Sequence, residues 1–196
     1  MQTNSKVAFA QSYIESLCHI LHNLPLSDFA LALDRLEKAL VEQRRVFLAG
    51  NGGSAATASH MAEDLMKGVA QSMGKSFRAI SLSDNVPLIT AIANDESYSE
   101  IFASQLRALA QAGDVLIVFS GSGNSANIVR AVEVARQMQV KTIAFLGMGG
   151  GQVAKMADVS VIVPSNEYGP IEDIHTVFDH LITAYLRSWS SEVQRD

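Results

Sequence analysis

Cysteine is almost absent from this 196-residue chain, which has Cys18 alone. That excludes an internal disulfide framework and any cysteine-based metal centre. Cys18 falls in a helical pattern with Ile14, Leu17 and Leu21, so it reads as a thiol of the core or of an interface. Positive charge is also short: the formal net charge is -5 and the pI near 5.5. A grip on nucleic acid would show as a basic face or stripe, so no nucleic-acid partner is expected. No apolar run approaches membrane-spanning length, and the polar opening Met1–Lys6 (MQTNSK) is not followed by a signal-peptide core. The expected setting is therefore cytoplasmic, with no membrane partner. Low-complexity segments are missing. With 48% hydrophobic residues, the chain can bury a full core as one domain over 1–196, and nothing calls for two.

What the chain does have is glycine and serine in two loops. Phe119–Ser125 (FSGSGNS) lies between the apolar run Asp114–Val118 (DVLIV) and the helix-like run Ala126–Gln139. At a strand-to-helix junction, glycine lets the backbone approach an anion while serine hydroxyls and first-turn N–H groups donate to it. Gly50–Ser54 (GNGGS) has the same character. Neither loop is followed by the lysine of a P-loop, and the first lacks dinucleotide G-x-G-x-x-G spacing, so no nucleotide cofactor is expected. A third glycine cluster, Gly147 with Gly149–Gly151, reads as a turn.

The order of elements places the two loops together. An amphipathic helix over Ala8–Leu24 stops near Pro25, and a second over Ser27–Gln43 has Ser27 or Asp28 as its N-cap. Five apolar runs follow, Val46–Ala49, Arg78–Leu82, Val115–Phe119, Thr142–Leu146 and Val159–Val163, with helical segments after each. The pattern predicts an α/β fold, a doubly wound five-stranded parallel sheet of order 2-1-3-4-5, flavodoxin-like, with two leading helices in 1–44 and the α/β core in 45–196. In such a sheet ligands gather at the carboxyl ends of the strands, where the strand order reverses. That switch falls between the first and third strands, which end in the two loops.

Chemistry is concentrated on two helices. His60 and Asp64 are four residues apart and share a face, with Glu63 beside them. The last helix, Ile171–Trp189, carries Glu172, Asp173, His175, Asp179 and His180. The eight-residue step from Glu172 to His180 returns to within about 80° of one face, whereas His175 lies on another side. Two histidines and two carboxylates on two helices suit a four-ligand N/O site for zinc or a similar divalent ion. The same residues suit a general base and proton relay with no metal. Glu172 and Asp173 also open a helix after Pro170, where the dipole stabilises negative charge, and His180 among Val177, Phe178, Leu181 and Ile182 also suits a core histidine.

On the segments GNGGSAATASHMAEDL (50–65), AIANDESYSEIF (91–102), SGSGNSANIVRAVEVAR (120–136) and PIEDIHTVFDH (170–180), the chain resembles sugar-isomerase (SIS) domain proteins. Within them it is similar to the phosphoheptose isomerases, which interconvert sedoheptulose 7-phosphate and D-glycero-D-manno-heptose 7-phosphate. The resemblance implies an aldose–ketose isomerase that binds a phosphorylated sugar. Its phosphate-binding residues correspond to Ser120, Ser122 and Ser125, with Asn51, Gly52, Gly53 and Ser54 from the first loop. Asn94 and Asp95 match the pair near the sugar. His60 and His180 match two metal-binding histidines, the second also an acid/base. The catalytic glutamate of the family falls on Asp64, one methylene shorter, and its glutamine ligand on Glu172. The implied metal set is His60, Asp64, Glu172 and His180, with Asp64 and His180 catalytic. An arginine of many members is Gly68 here, with Lys67 adjacent, an Asp-Arg pair is Gly169–Pro170, and a loop threonine is Gly121.

A second branch of the superfamily, the replication initiator-associating proteins, keeps the fold without the metal and acid/base set. A non-catalytic binding protein or sugar-phosphate sensor is thus the alternative, and the retained His60 and His180 lean toward chemistry. The apolar faces of the two leading helices and the last helix exceed what one small sheet needs to cover. The family forms tetramers with sites at subunit interfaces, so a homotetramer is expected, in which His60 and His180 can come from different chains.

Overall fold

The computed structural model describes residues 2–69 and 75–193. The outer limits of the expected 1–196 span, residue 1 and residues 194–196, lie outside the described residues. Helices α1 (Gln2–His22) and α2 (Leu26–Val41) lead into five strands, β1 (Arg45–Ala49), β2 (Arg78–Ser81), β3 (Val115–Ser120), β4 (Lys141–Leu146) and β5 (Val159–Ile162). Between and after them come α3 (Gly53–Glu63), α4 (Val86–Asp95), α5 (Ala103–Leu109), α6 (Ala126–Gln137) and α7 (Tyr168–Val193). All strands are parallel, in the order β2-β1-β3-β4-β5. β1 therefore pairs with both β2 and β3, and the order reverses at β1, as expected.

The central strands are buried on both faces, which is why they read as continuous apolar runs. Alternate residues feed two cores. Val46, Leu48, Ile117, Phe119, Ile143 and Phe145 face α2, α3 and α7, while Phe47, Leu116, Val118 and Ala144 face α5 and α6. Stacked and tilted aromatic rings run from Phe119 to Phe145 (5.3 Å), Phe145 to Phe178 (5.3 Å) and Phe178 to Phe29 (5.2 Å). This ladder pins α7 across the sheet and sets its polar face beside α3.

Three local expectations change. The N-cap of α2 is Pro25, with Ser27 and Asp28 inside the first turn, because the proline ring presets φ (-76°) and its carbonyl takes the Phe29 N–H (3.0 Å). The β4–β5 crossover is two single 3₁₀ turns, Met148–Gly150 and Val153–Lys155, instead of a full helix. Left-handed backbone at Met148, Gly149, Gly150 and Gly151 breaks the helical path there. The last helix starts earlier than Ile171, since Pro170 falls in its first turn, where no amide hydrogen is needed.

α1 lies largely exposed, Cys18 included, and Phe9 is 75% accessible. The core reading of Cys18 is thereby excluded for the single chain. Tyr13 anchors the helix by donating to Asp173 Oδ2 (2.6 Å) at the start of α7. Among the described residues no helix is long and apolar enough to cross a membrane.

Candidate active site

The serine loop forms the floor of a cavity of about 220 Å³ at the carboxyl end of β3, lined by Asn51, Ser54, Ser120, Gly121, Ser122, Ser125, Tyr168 and Glu172. Ser120 Oγ accepts from the Gly123 N–H (3.1 Å) and Ser122 Oγ from the Asn124 N–H (3.2 Å). These bonds use the hydroxyls as acceptors and leave their protons to donate to a ligand. Ser125 is the N-cap of α6 without a side-chain capping bond, so its hydroxyl and the helix's first N–H groups share the cavity.

Two supports of this cradle escape sequence reasoning. Asn127, buried on α6, exchanges two amide bonds with Asn51: Asn51 Nδ2 donates to Asn127 Oδ1 (2.9 Å), and Asn127 Nδ2 to Asn51 Oδ1 (2.8 Å). Tyr98 also donates to Asn51 Oδ1 (3.3 Å). The third glycine cluster is the turn expected, but it packs on the serine loop: the Val153 N–H bonds the Gly123 carbonyl (3.1 Å) and the Gln152 N–H bonds Asn124 Oδ1 (3.0 Å).

Across Glu172 lies a second cavity of about 330 Å³, lined by Gly53, Ala56, Thr57, His60, Glu172, Asp173, Thr176 and Asp179. Beside it, donor atoms of His60, Asp64, Asp179 and His180 lie within 4.8 Å of one another. His60 Nε2 is 3.4 Å from Asp64 Oδ2 and 4.0 Å from Asp179 Oδ2, and the His60 and His180 rings meet edge to face at 5.3 Å. The two histidines thus meet within one chain, and need no second subunit to do so. α3 runs into a π-helical turn at Asp64–Gly68, in which the Val69 N–H reaches the Asp64 carbonyl (3.2 Å). Such turns recur at functional sites, and nothing in the local sequence announces this one. Glu63 turns away and pairs with Lys67 (3.4 Å).

The four-residue set is not the one expected. Asp179 joins it, whereas Glu172 sits over Gly53 at the start of α3, so close that a Cβ at Gly53 would overlap its carboxylate. Asp179 is fully buried, and among the described residues neither oxygen has a hydrogen-bond partner. Burial, reinforced by the Asp64 carboxylate, pushes its carboxyl up to about 7. The sequence held a signal for it: a lone aspartate beside Phe178 and Ile182 in the apolar stripe of a helix, where an unpaired Asp is almost never found. Seven residues separate Glu172 and Asp179, which returns to within about 20° of the same face.

Asn94 and Asp95 line neither cavity; they sit exposed at the end of α4, where Asn94 Nδ2 donates to Asp95 Oδ1 (2.8 Å). Gly52, the exposed N-cap of α3, has the left-handed backbone (φ 56°) that turns the first loop into the helix.

His175 lies apart, buried on α7 with its ring 5.6 Å from Phe119. Desolvation brings its pKa down to about 4. The unfolded chain takes up this proton near pH 6.5 and the folded chain only near 4. Stability is therefore lost as pH falls through that window, by about 3 kcal/mol for a shift of this size. Denaturant unfolding at pH 7 and pH 4 should show His175→Leu losing about that much less than the parent; equal losses would refute the assignment.

The family model described as "SIS domain" matches residues 11–147. A phosphoheptose isomerase of a Nitratiruptor species is 40% identical over 149 residues, covering 76% of this chain and 79% of that protein. A probable phosphoheptose isomerase of Thermoplasma acidophilum is 36% identical over 177 residues, 90% of this chain and 97% of its own. Among solved structures, phosphoheptose isomerase from Neisseria gonorrhoeae superposes with a TM-score of 0.85 at 30% identity, over 94% of this chain and 98% of that one.

Proposed function

The chain belongs to the SIS-domain family and, within it, to the phosphoheptose isomerases, and from that membership we propose that it interconverts sedoheptulose 7-phosphate and D-glycero-D-manno-heptose 7-phosphate. One observation carries the reading: Glu172 lines both the serine cradle and the cavity beside the histidine and carboxylate cluster. A sugar phosphate can therefore lie with its phosphate in one and its reacting carbons toward the other.

Ser120, Ser122 and Ser125 with Asn51 and Ser54 hold the phosphate, helped by the α6 N-terminus. Isomerisation then moves one proton between carbons and one between oxygens. Asp64 takes the C1 proton of the ketose and returns it to C2, while His180 gives a proton to the C2 oxygen and takes one back from the C1 hydroxyl, so both groups end as they began. His60, Asp64 and His180 would hold a divalent ion, zinc by donor type, and the buried Asp179 beside them, with no hydrogen-bond partner among the described residues, supports that reading. When bound, such an ion polarises the substrate's carbonyl and hydroxyl oxygens.

Assembly and location complete the proposal. Phe9 and Ile14 on α1 are exposed, as are Ile80, Leu88 and Leu109 around a cavity of about 520 Å³ beside the edge strand β2. These surfaces support a homotetramer in which residues 1–44 serve as the assembly element, with Cys18 at an interface. A cytoplasmic setting, where thiols stay reduced, suits that cysteine.

The direct test is incubation with sedoheptulose 7-phosphate and chromatographic detection of the aldose; absence of conversion would sink the proposal. In the double variant Ser122→Ala/Ser125→Ala, two donors to a dianion are lost. KM should rise about a hundredfold with kcat within about threefold, the pattern of lost uniform binding. A fall in kcat at unchanged KM would remove these serines from the phosphate site.

A further inference from the structure

Asp179 is the one acidic side chain in the site that is wholly shut from solvent, and neither of its oxygens has a hydrogen-bond partner among the described residues. A carboxylate taken out of water needs a counter-charge. The elements packed around it offer none of lasting sign. α3 presents His60 at 4.0 Å and Asp64, itself acidic, while α7 presents His180. Lys67, the nearest lysine along α3 and its π turn, is paired with Glu63 at the surface. Four donor atoms, two nitrogen and two oxygen, converge instead.

Charge also decides which carboxylates belong. With neutral histidines, two carboxylates cancel a divalent cation, and the neutral set can be buried. A third carboxylate would leave it anionic. Glu172 is held elsewhere, against Gly53 at the first turn of α3, between the two cavities, where the helix dipole favours its charge.

We propose that Asp179 is the fourth protein ligand of a divalent-cation centre formed with His60, Asp64 and His180, and that Glu172 stays outside the ligand set, facing the sugar between cation and phosphate. The inference rests on the reading of His60, Asp64 and His180 given above and replaces the expected fourth ligand.

The test uses the full chain stripped with chelator and titrated with Co²⁺, followed by visible absorption, and with Zn²⁺, followed by competition with a chromophoric chelator. Asp179→Asn should weaken both ions by more than about a hundredfold, beyond the loss typical of residues behind the ligands. It should also abolish the Zn²⁺-induced rise in Tm, while the stripped variant melts no lower than the stripped parent. Asp179→Leu, which removes the buried charge outright, should behave alike. Glu172→Ala, which removes every donor atom at this position, should bind both ions within about threefold of the parent. The proposal is overturned if Glu172→Ala loses the ion and Asp179→Asn keeps it, if both lose it equally, or if the parent binds no ion. Because turnover is not the readout, absence of isomerisation with intact ion binding would refute the function alone. Conversely, isomerisation by a chain that binds no ion would refute this centre alone.

Discussion

Replacing Asp64 by asparagine lowers kcat for sedoheptulose 7-phosphate by about a thousandfold, the scale of a lost general base. The side chain keeps its size and its place at the head of the π turn, so the fold survives. What it loses is the ability to accept a proton from carbon. Asp64 is 3.4 Å from His60 and part of the four-residue cluster, so the same change weakens ion binding, and kcat reports both. Asp64→Glu separates carboxylate chemistry from its position. It restores the longer side chain that the resemblance implies for this place, and a displacement of about 1 Å can change the rate about a hundredfold in either direction. Steady-state kinetics on the three proteins decides the matter. An asparagine variant with more than a tenth of parental kcat would exclude Asp64 as the base.

The second large effect lies in the backbone beneath the serine loop. Gly123 has φ 61°, and a Cβ there would penetrate the Gly150 carbonyl oxygen of the glycine turn. Gly123→Ala therefore combines left-handed strain, about 1–2 kcal/mol, with an overlap that only backbone movement relieves, about 1–3 kcal/mol more. Unfolding free energy should fall by roughly 3 kcal/mol, or Tm by about 10 °C for a chain of this length. KM should rise too, because the Gly123 N–H that holds Ser120 Oγ moves with the loop. Gly149→Ala is the control: its φ is 74° but no atom lies within 4 Å of the added carbon, so only the backbone cost of about 1–2 kcal/mol remains. Equal melting temperatures for the two variants would show that the contact between the loops carries no energy.

Much of this architecture was legible in the linear chain. The five strands, their parallel order and the two phosphate-type loops follow from apolar runs buried on both faces and from glycine, serine and asparagine clustered where a strand gives way to a helix. The His60–Asp64 pair was legible because four residues make a single helical step. The glycine cluster after β4 was legible as a turn, but its contact with Gly123 joins segments far apart in sequence, and no local pattern encodes that distance.

The sequence by itself therefore determined the fold class and the place and type of the anion cradle, since each depends on periodicity and side-chain chemistry within a few residues. Only the tertiary structure decided which carboxylate meets the histidines. Glu172 and Asp179 share one face of α7, and sequence spacing cannot rank them. The aromatic ladder from Phe119 to Phe29 sets how α7 lies across the sheet. At that setting Glu172 stands over Gly53 and the two cavities, and Asp179 is buried against His60 and Asp64.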